Sequence, residues 1–183
     1  MKAVIQRVMN AKVTVNGEVI SSIGQGACVF IGICNNDNEK DMEKFARKIL
    51  SIKLFDNGND KKWNKSIVDN DFELLCVSQF TLYNTWKGNK PDFHNAMPAE
   101  KAKEFYDKLI ERLKQIYKPE KIKDGVFGAC MQVALQNDGP VTLELEISSQ
   151  NSNEKGNKKI QSNSCKTNEA TDNSESKIND IKE

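Results

Sequence analysis

Two short stretches of this chain hold the residue types from which chemistry could be built. The first, Ser78-Gln79-Phe80-Thr81-Leu82, follows the apolar run Leu74-Leu75-Cys76-Val77, so two hydroxyls, an amide and a ring stand at the end of a strand. Ser78 and Thr81 are candidate nucleophiles, but no base accompanies them, and their ordinary role would be to cap the strand by hydrogen bonding. The alternative treats the 78–81 backbone as the working part. Free N–H groups at a strand end can polarise an ester carbonyl, as an oxyanion hole does. The second stretch is Asn137-Asp138-Gly139-Pro140-Val141-Thr142, between two runs that read as strands, 128–135 and 141–147. Asn and Asp tolerate tight turns, Gly supplies unusual φ and Pro fixes its own. A hairpin loop is the plain reading; a cis Gly139-Pro140 bond held for function is the other.

The usual catalytic parts are otherwise missing. The single histidine, His94, follows Pro91-Asp92-Phe93 with no nucleophile-elbow pattern around it, and reads as a loop residue rather than a triad member. No His/Cys/Asp cluster has metal-ligand spacing, and Gly24-Gln25-Gly26 lacks the further glycine and following helix of a dinucleotide loop. No metal and no cofactor is expected. Of five cysteines (28, 34, 76, 130 and 165), Cys28, Cys76 and Cys130 lie in apolar runs and read as buried, reduced thiols.

The elements that must position these stretches follow from periodicity. Residues 3–9 and 12–15 alternate and are β-branched, and Asn16-Gly17 leads into 18–22, a hairpin signal. Residues 27–33 form a continuous apolar run that suits a strand buried on both faces. Met42, Phe45, Ala46, Ile49 and Leu50 then recur at helical spacing after a polar break that offers N-caps. Short strands are expected over 53–55 and 63–68, and residues 83–97 read as a long loop. Pro98 opens a second helix to about Tyr117, with Ala102, Phe105, Leu109, Ile110, Leu113 and Ile116 as its apolar stripe. The expected class is α/β, layered mixed β-sheets with two main α-helices and roughly eight strands.

Composition sets the bounds. From Ser148 onward the chain has no aromatic and hardly any aliphatic residue, so 149–183 reads as a disordered polar tail and 1–148 as one domain. Net charge is +1, and the six basic and six acidic residues of the tail cancel, leaving the domain at +1 too. Global charge therefore gives no sign of a strongly basic nucleic-acid binder. The opening Met1-Lys2-Ala3-Val4-Ile5-Gln6-Arg7 is too quickly polar for a signal peptide, and no apolar run approaches the ~20 residues of a membrane span. A cytoplasmic protein with no membrane partner is expected.

Taken together, Ser78-Gln79-Phe80-Thr81-Leu82 and the Gly139-Pro140 pair resemble the signatures of the D-aminoacyl-tRNA deacylase family. Val4-Ile5-Gln6-Arg7-Val8, Gly88-Asn89-Lys90-Pro91 and Phe127-Gly128-Ala129-Cys130-Met131 fit the family in the same order, so the resemblance spans about 1–148. It implies a homodimer with active sites at the subunit interface and the 3′ end of aminoacylated tRNA as substrate. Ser78, Gln79, Phe80 and Thr81 would form the catalytic strand end. Gly139 and Pro140, cis and reaching into the other subunit's pocket, would reject L-residues by their backbone. Arg7 would hold that loop, while Phe127 and Met131 would border the substrate.

The implied reaction is hydrolysis of the ester between a D-amino acid, or glycine mischarged on tRNA(Ala), and the terminal ribose. Either Thr81 attacks, or main-chain dipoles and the ribose 2′-OH carry the step; the lack of a base near Thr81 favours the second. A related branch with a trans Gly-Pro has proline and alanine where this chain keeps Ser78 and Phe80. The segment 55–71, rich in Asn and Lys, and the tail lack a clear counterpart. A non-catalytic nucleic-acid-binding module on the same fold is the alternative function. The tail is expected to be dispensable for hydrolysis.

Overall fold

The structure, a computed structural model, describes residues 1–58 and 62–148; the expectation for 149–183 lies outside the described residues. A long strand organises it. β1 (Lys2–Val15) is paired on both edges. On one edge run β2 (Glu18–Ile23), opposite Ala11–Val15, and then β3 (Gly26–Gly32), opposite Lys2–Val8. On the other edge lies β8 (Gln132–Glu146), antiparallel to β1 from Lys2 to Thr14. The Asn16-Gly17 turn, with φ of 51° and 85°, is the left-handed pair that a tight hairpin requires.

β3 also pairs in parallel with β4 (Glu73–Ser78), and β4 in parallel with β7 (Ile122–Asp124). Parallel neighbours need crossovers, and the two helices supply them. α1 (Glu39–Ser51) joins β3 to β4; α2 (Ala99–Ile116) lies between β4 and β7. Asn38 caps α1 by accepting from the Lys40 and Asp41 amides, while Asp41 accepts from the Asn38 amide, a complete capping box.

Strands β3 and β4 are buried on both faces, as their apolar run predicts. Ala27, Val29, Ile31, Leu74 and Cys76 pack with Phe45, Ile49, Leu109 and Leu113 beneath the helices. Cys28, Leu75 and Val77 pack on the opposite side with Val8, Ala11, Val13 and Ile23. Burial pushes the Cys28 thiol up to about 12, and Cys76 is raised by the same cause. Cys130 departs from expectation and is exposed, because its run is a turn after β7 rather than part of a strand. On α2, Tyr106 takes a fully buried position, whereas Phe105 and Ile116 are half-buried.

The two short strands expected over 53–55 and 63–68 reduce to one bridge between Phe55 and Lys65. Trp63 has φ of 57°, and Asp69 accepts from the Ser66 amide and hydroxyl, so the chain turns instead of extending. The expected long loop contains a small hairpin, β5 (Thr85–Lys87) and β6 (Lys90–Asp92), closed by Gly88 with φ of 61°. A larger correction concerns Gly139-Pro140. No hairpin forms there: the two strands expected on either side are one, paired to β1 over 132–137 and 142–146 with 138–141 unpaired, and the cis Gly139-Pro140 bond is present as expected.

Glu43 on α1 accepts two hydrogen bonds from Arg112 on α2, at 2.7 and 2.9 Å, and a third from Arg47 at 2.6 Å. Arg112 foremost, with help from Arg47, holds the Glu43 carboxyl down at about 2 against an ordinary 4.5. A depressed carboxylate stabilises the fold above its unfolded pKa, and that contribution fades as pH falls from 4.5 towards 2. Glu43→Gln should therefore flatten the fall of stability across this window. Urea midpoints measured against pH for wild type and variant check it; parallel curves would refute it.

Candidate active site

β4 ends at Ser78, and the chain turns at once into a 3-10 helix over Phe80–Tyr83. The Gln79 amide donates to the Ile31 carbonyl at 2.7 Å, extending the parallel β3–β4 ladder by one rung. That N–H is therefore committed. The Phe80 and Thr81 amides head the helical turn, where a helix has no acceptor of its own to offer. Gln79 Nε2 donates to Thr81 Oγ1 at 2.5 Å, and the Asn84 amide group donates to the Thr81 carbonyl at 2.9 Å. Among the described residues, no carboxylate, imidazole or amine hydrogen-bonds to Ser78 or Thr81. His94 pairs with Asp92, which also holds Lys87 at 2.6 Å. Lys87 first, and His94 after it, keep the Asp92 carboxyl well below the usual range.

Gly32 makes this turn possible. A Cβ there would stand 3.0 Å from Leu82 Cβ and 3.2 Å from both the Gln79 carbonyl oxygen and Tyr83 Cδ2. The strand end and its turn thus lie directly on a bare backbone.

Ser78, Gln79 and Phe80 line a pocket of about 580 Å³ with Phe30, Phe93, Met97, Ala129 and Val133. Phe127 and Met131, expected beside the substrate, line it too. Phe80 is 57% exposed, so it is not a core residue, and its ring meets Phe93 edge-on with centroids 5.0 Å apart. Phe127 lies against the buried Tyr106 ring at 5.7 Å. Met131 Sδ sits where a Cβ on Gly125 would come within 2.6 Å, so that glycine admits the sulfur. The walls are mostly apolar and aromatic, with polar groups concentrated at the 78–79 end, an arrangement that fits a flat heterocycle beside a reacting carbonyl.

The second predicted cluster lies apart from the first. Arg7, Gly139 and Pro140 are not among the pocket's lining residues, nor is Thr81. Along β1 and β8, Gln6 is opposite Thr142 and Val8 is opposite Asn137, so Arg7 alone faces the four residues Asp138–Val141. These bow outward with a cis Gly139-Pro140 bond, and both residues are exposed. Arg7 is only 14% exposed. Its Nε donates to the Asp138 carbonyl at 3.2 Å and lies 3.1 Å from Asp138 Oδ2, while Nη1 donates to the Leu54 carbonyl at 2.7 Å. Gly139, at φ of 116°, has Arg7 Nη2 3.2 Å from the place of a Cβ. Arg7 thus fixes the bow from beneath.

Sequence reasoning missed Gly32, Phe93, Met97 and Asp138. Nothing near Gly32 in sequence marks it; its role appears only once β3 and β4 pair. In the sequence Asp138 reads as a turn former; in the structure its carboxylate faces Arg7.

A profile of the D-Tyr-tRNA(Tyr) deacylase family matches residues 4–146. D-aminoacyl-tRNA deacylase 1 of Mus musculus is 57% identical over 146 residues, covering 80% of this chain and 70% of that protein. D-aminoacyl-tRNA deacylase of Drosophila melanogaster is 58% identical, over 80% and 92% of the two chains. Among solved structures, one described as c-Myc DNA Unwinding Element Binding Protein is 57% identical, with a TM-score of 0.78 over 80% of this chain and 98% of that one. A probable eukaryotic D-amino acid tRNA deacylase shares the fold at 15% identity, with a TM-score of 0.68 over 79% of this chain and 97% of that one.

Gly32→Ala should lift the 79–83 turn by a few tenths of an ångström and misplace the strand end. A drop of about tenfold or more in ester hydrolysis is expected, since small misplacements cost that much. It should persist at temperatures where circular dichroism shows the variant fully folded. Unchanged turnover would show that the turn tolerates a Cβ beneath it.

Proposed function

This chain belongs to the D-Tyr-tRNA(Tyr) deacylase family and hydrolyses D-aminoacyl-tRNA, and we propose that it does so as a homodimer in which each subunit completes the other's site. The observation that carries the reading is the separation of the two clusters within one chain. The pocket has a polar strand end but does not include Gly139 or Pro140, while the bow at Asp138–Val141 stands apart from it, held by Arg7. Strand β8 pairs only with β1 among the described residues, so its outer edge is free to meet a second copy.

In the assembled site the terminal adenosine rests among Phe80, Phe93, Phe127 and Met131. The aminoacyl ester lies over the end of β4, where the Phe80 and Thr81 amides face the developing oxyanion. Water attacks the carbonyl carbon, the C–O bond to the ribose breaks, and the departing ribose oxygen takes a proton, with the adjacent 2′-OH assisting. The other subunit's Gly139 and Pro140 present main-chain carbonyls to the α-amino group and occupy the space an L side chain would need. A D side chain points away and glycine has none, so D-residues in general, and glycine mischarged on tRNA(Ala), pass. Discrimination comes from exclusion. A cytoplasmic location is part of the same proposal.

A second reading, nucleic-acid binding without catalysis, is favoured by the description of the 57% identical structure as a DNA-element binding protein. Comparing release of D-tyrosine and L-tyrosine from their tRNAs separates the two. Turnover of the D-ester alone supports the deacylase; no turnover of either leaves the binding module.

Ser78→Ala and Thr81→Ala should each keep deacylation within roughly tenfold of wild type, because no base activates either hydroxyl. A covalent nucleophile would lose several orders of magnitude, and an aminoacyl ester trapped on Thr81 would overturn the reading. Gly139→Ala should fail differently. Its Cβ meets Arg7 Nη2 at 3.2 Å at a φ of 116°, so the bow must shift. We expect D-ester turnover to fall at least about tenfold, with the dimer intact by light scattering. Unaltered turnover and unaltered D/L selectivity would remove Gly139 from the site.

A further inference from the structure

The hairpin β5–β6 has no part in the chemistry above, yet it grows directly out of the pocket wall. It begins two residues after the 3-10 turn, whose Thr81 carbonyl is held by Asn84, and it ends beside Phe93, which packs against Phe80. Trp86 and Pro91 are directly opposite in register and so share one face. Trp86 is 69% exposed. Lys87 and Lys90 are likewise opposite each other, on the other face.

Neither arrangement serves the hairpin itself. An isolated two-stranded hairpin is marginal and gains most from a buried aromatic, whereas this one leaves its indole in water. Like charges placed directly across a ladder are destabilising. Asp92 offsets Lys87 with a contact at 2.6 Å, but Lys90 has no ion-pair partner among the described residues. An open aromatic face and an uncompensated cation two rungs from the root fit a single-stranded polyanion, whose bases stack on the ring while its phosphates take the charge.

We propose that the β5–β6 hairpin is a docking element for the single-stranded 3′ end of the substrate tRNA. Trp86 stacks on a nucleobase preceding the terminal adenosine, and Lys90, which has no ion-pair partner among the described residues, reaches past the hairpin edge to a flanking phosphate. The inference rests on the deacylase reading, which puts the terminal adenosine in the adjoining pocket. It explains how a domain of near-neutral charge holds tRNA. The charge acts locally, next to the ester, instead of over a broad basic surface.

The test compares two D-tyrosyl esters, on full tRNA and on adenosine alone, which lacks the preceding nucleotides. Trp86→Ala should raise KM for the tRNA by about tenfold, the effect of one lost stacked base. Its kcat should change little, and hydrolysis of D-tyrosyl-adenosine should match wild type. Lys90→Gln, which spares the Lys87–Asp92 pair, should lower the slope of log KM against log salt by about 0.7, one phosphate contact to a single strand. Equal losses on both esters, unchanged KM on both, or dissociation of the Trp86→Ala dimer would each overturn the proposal. Should wild type cleave neither ester, the deacylase reading fails by itself. Filter binding of uncharged tRNA then still decides the hairpin: weaker binding by Trp86→Ala sustains it, and equal binding ends it.

Discussion

The register of β1 against β8 is the constraint from which the rest of the molecule follows. One residue of β1, Arg7, stands opposite four of β8, so the surplus backbone must leave the sheet. Where it leaves, an unsupported loop would sample many shapes, each residue contributing conformational entropy that opposes order. Arg7 removes that freedom with a guanidinium that reaches the Asp138 carbonyl and carboxylate on one side and the Leu54 carbonyl on the other. Its planar fork and permanent charge suit it to bridging two carbonyls from a mostly buried position. Gly139 completes the device, since at its φ of 116° and with Arg7 3.2 Å from the place of a Cβ any side chain would be strained and crowded.

A similar economy governs the pocket. The parallel β3–β4 ladder runs one rung past Ser78 through the Gln79 amide, and this rung sets where the 3-10 turn begins. The turn then rests on Gly32, so its amides are positioned by backbone on backbone, with few side-chain torsions to disturb them. Rigid dipoles aimed at a reacting carbonyl need no reorganisation during the reaction. That is consistent with a site whose Thr81 hydroxyl is partnered by the Gln79 amide and by no base. The shifted group at the strand end is Tyr83, whose phenol is raised by burial, and the carboxylates with strongly lowered pKa, Glu43, Asp69 and Asp92, serve ion pairs elsewhere.

On the proposed reading, specificity and catalysis fall to different strands. β4 carries the groups that face the ester, and β8 carries the groups that would judge its configuration. In the proposed dimer, dividing them between subunits would make the site conditional on assembly. The hairpin beside Phe93 would add a third contribution, contact with the polynucleotide.

The sequence alone determined the helices, the β1–β2 hairpin and the doubly buried β3, because each rests on a local period or a local turn that nearby residues spell out. It also singled out both clusters and the residues Phe127 and Met131, since Ser78–Leu82 and Gly139-Pro140 carry a family's signature in their types and spacing. Tertiary structure decided the rest. Turn residues at 137–140 suggest a hairpin, yet pairing to β1 on both sides of 138–141 keeps 132–146 as one strand and turns those four residues into a bow. The apolar run around Cys130 suggests burial, yet no neighbouring strand covers it. Gly32 and Asp138 gain their roles from partners 47 and 131 positions away, Gln79 and Arg7. Contacts at such separations leave no periodic trace in the sequence around either partner, and only the folded sheet brings them within reach.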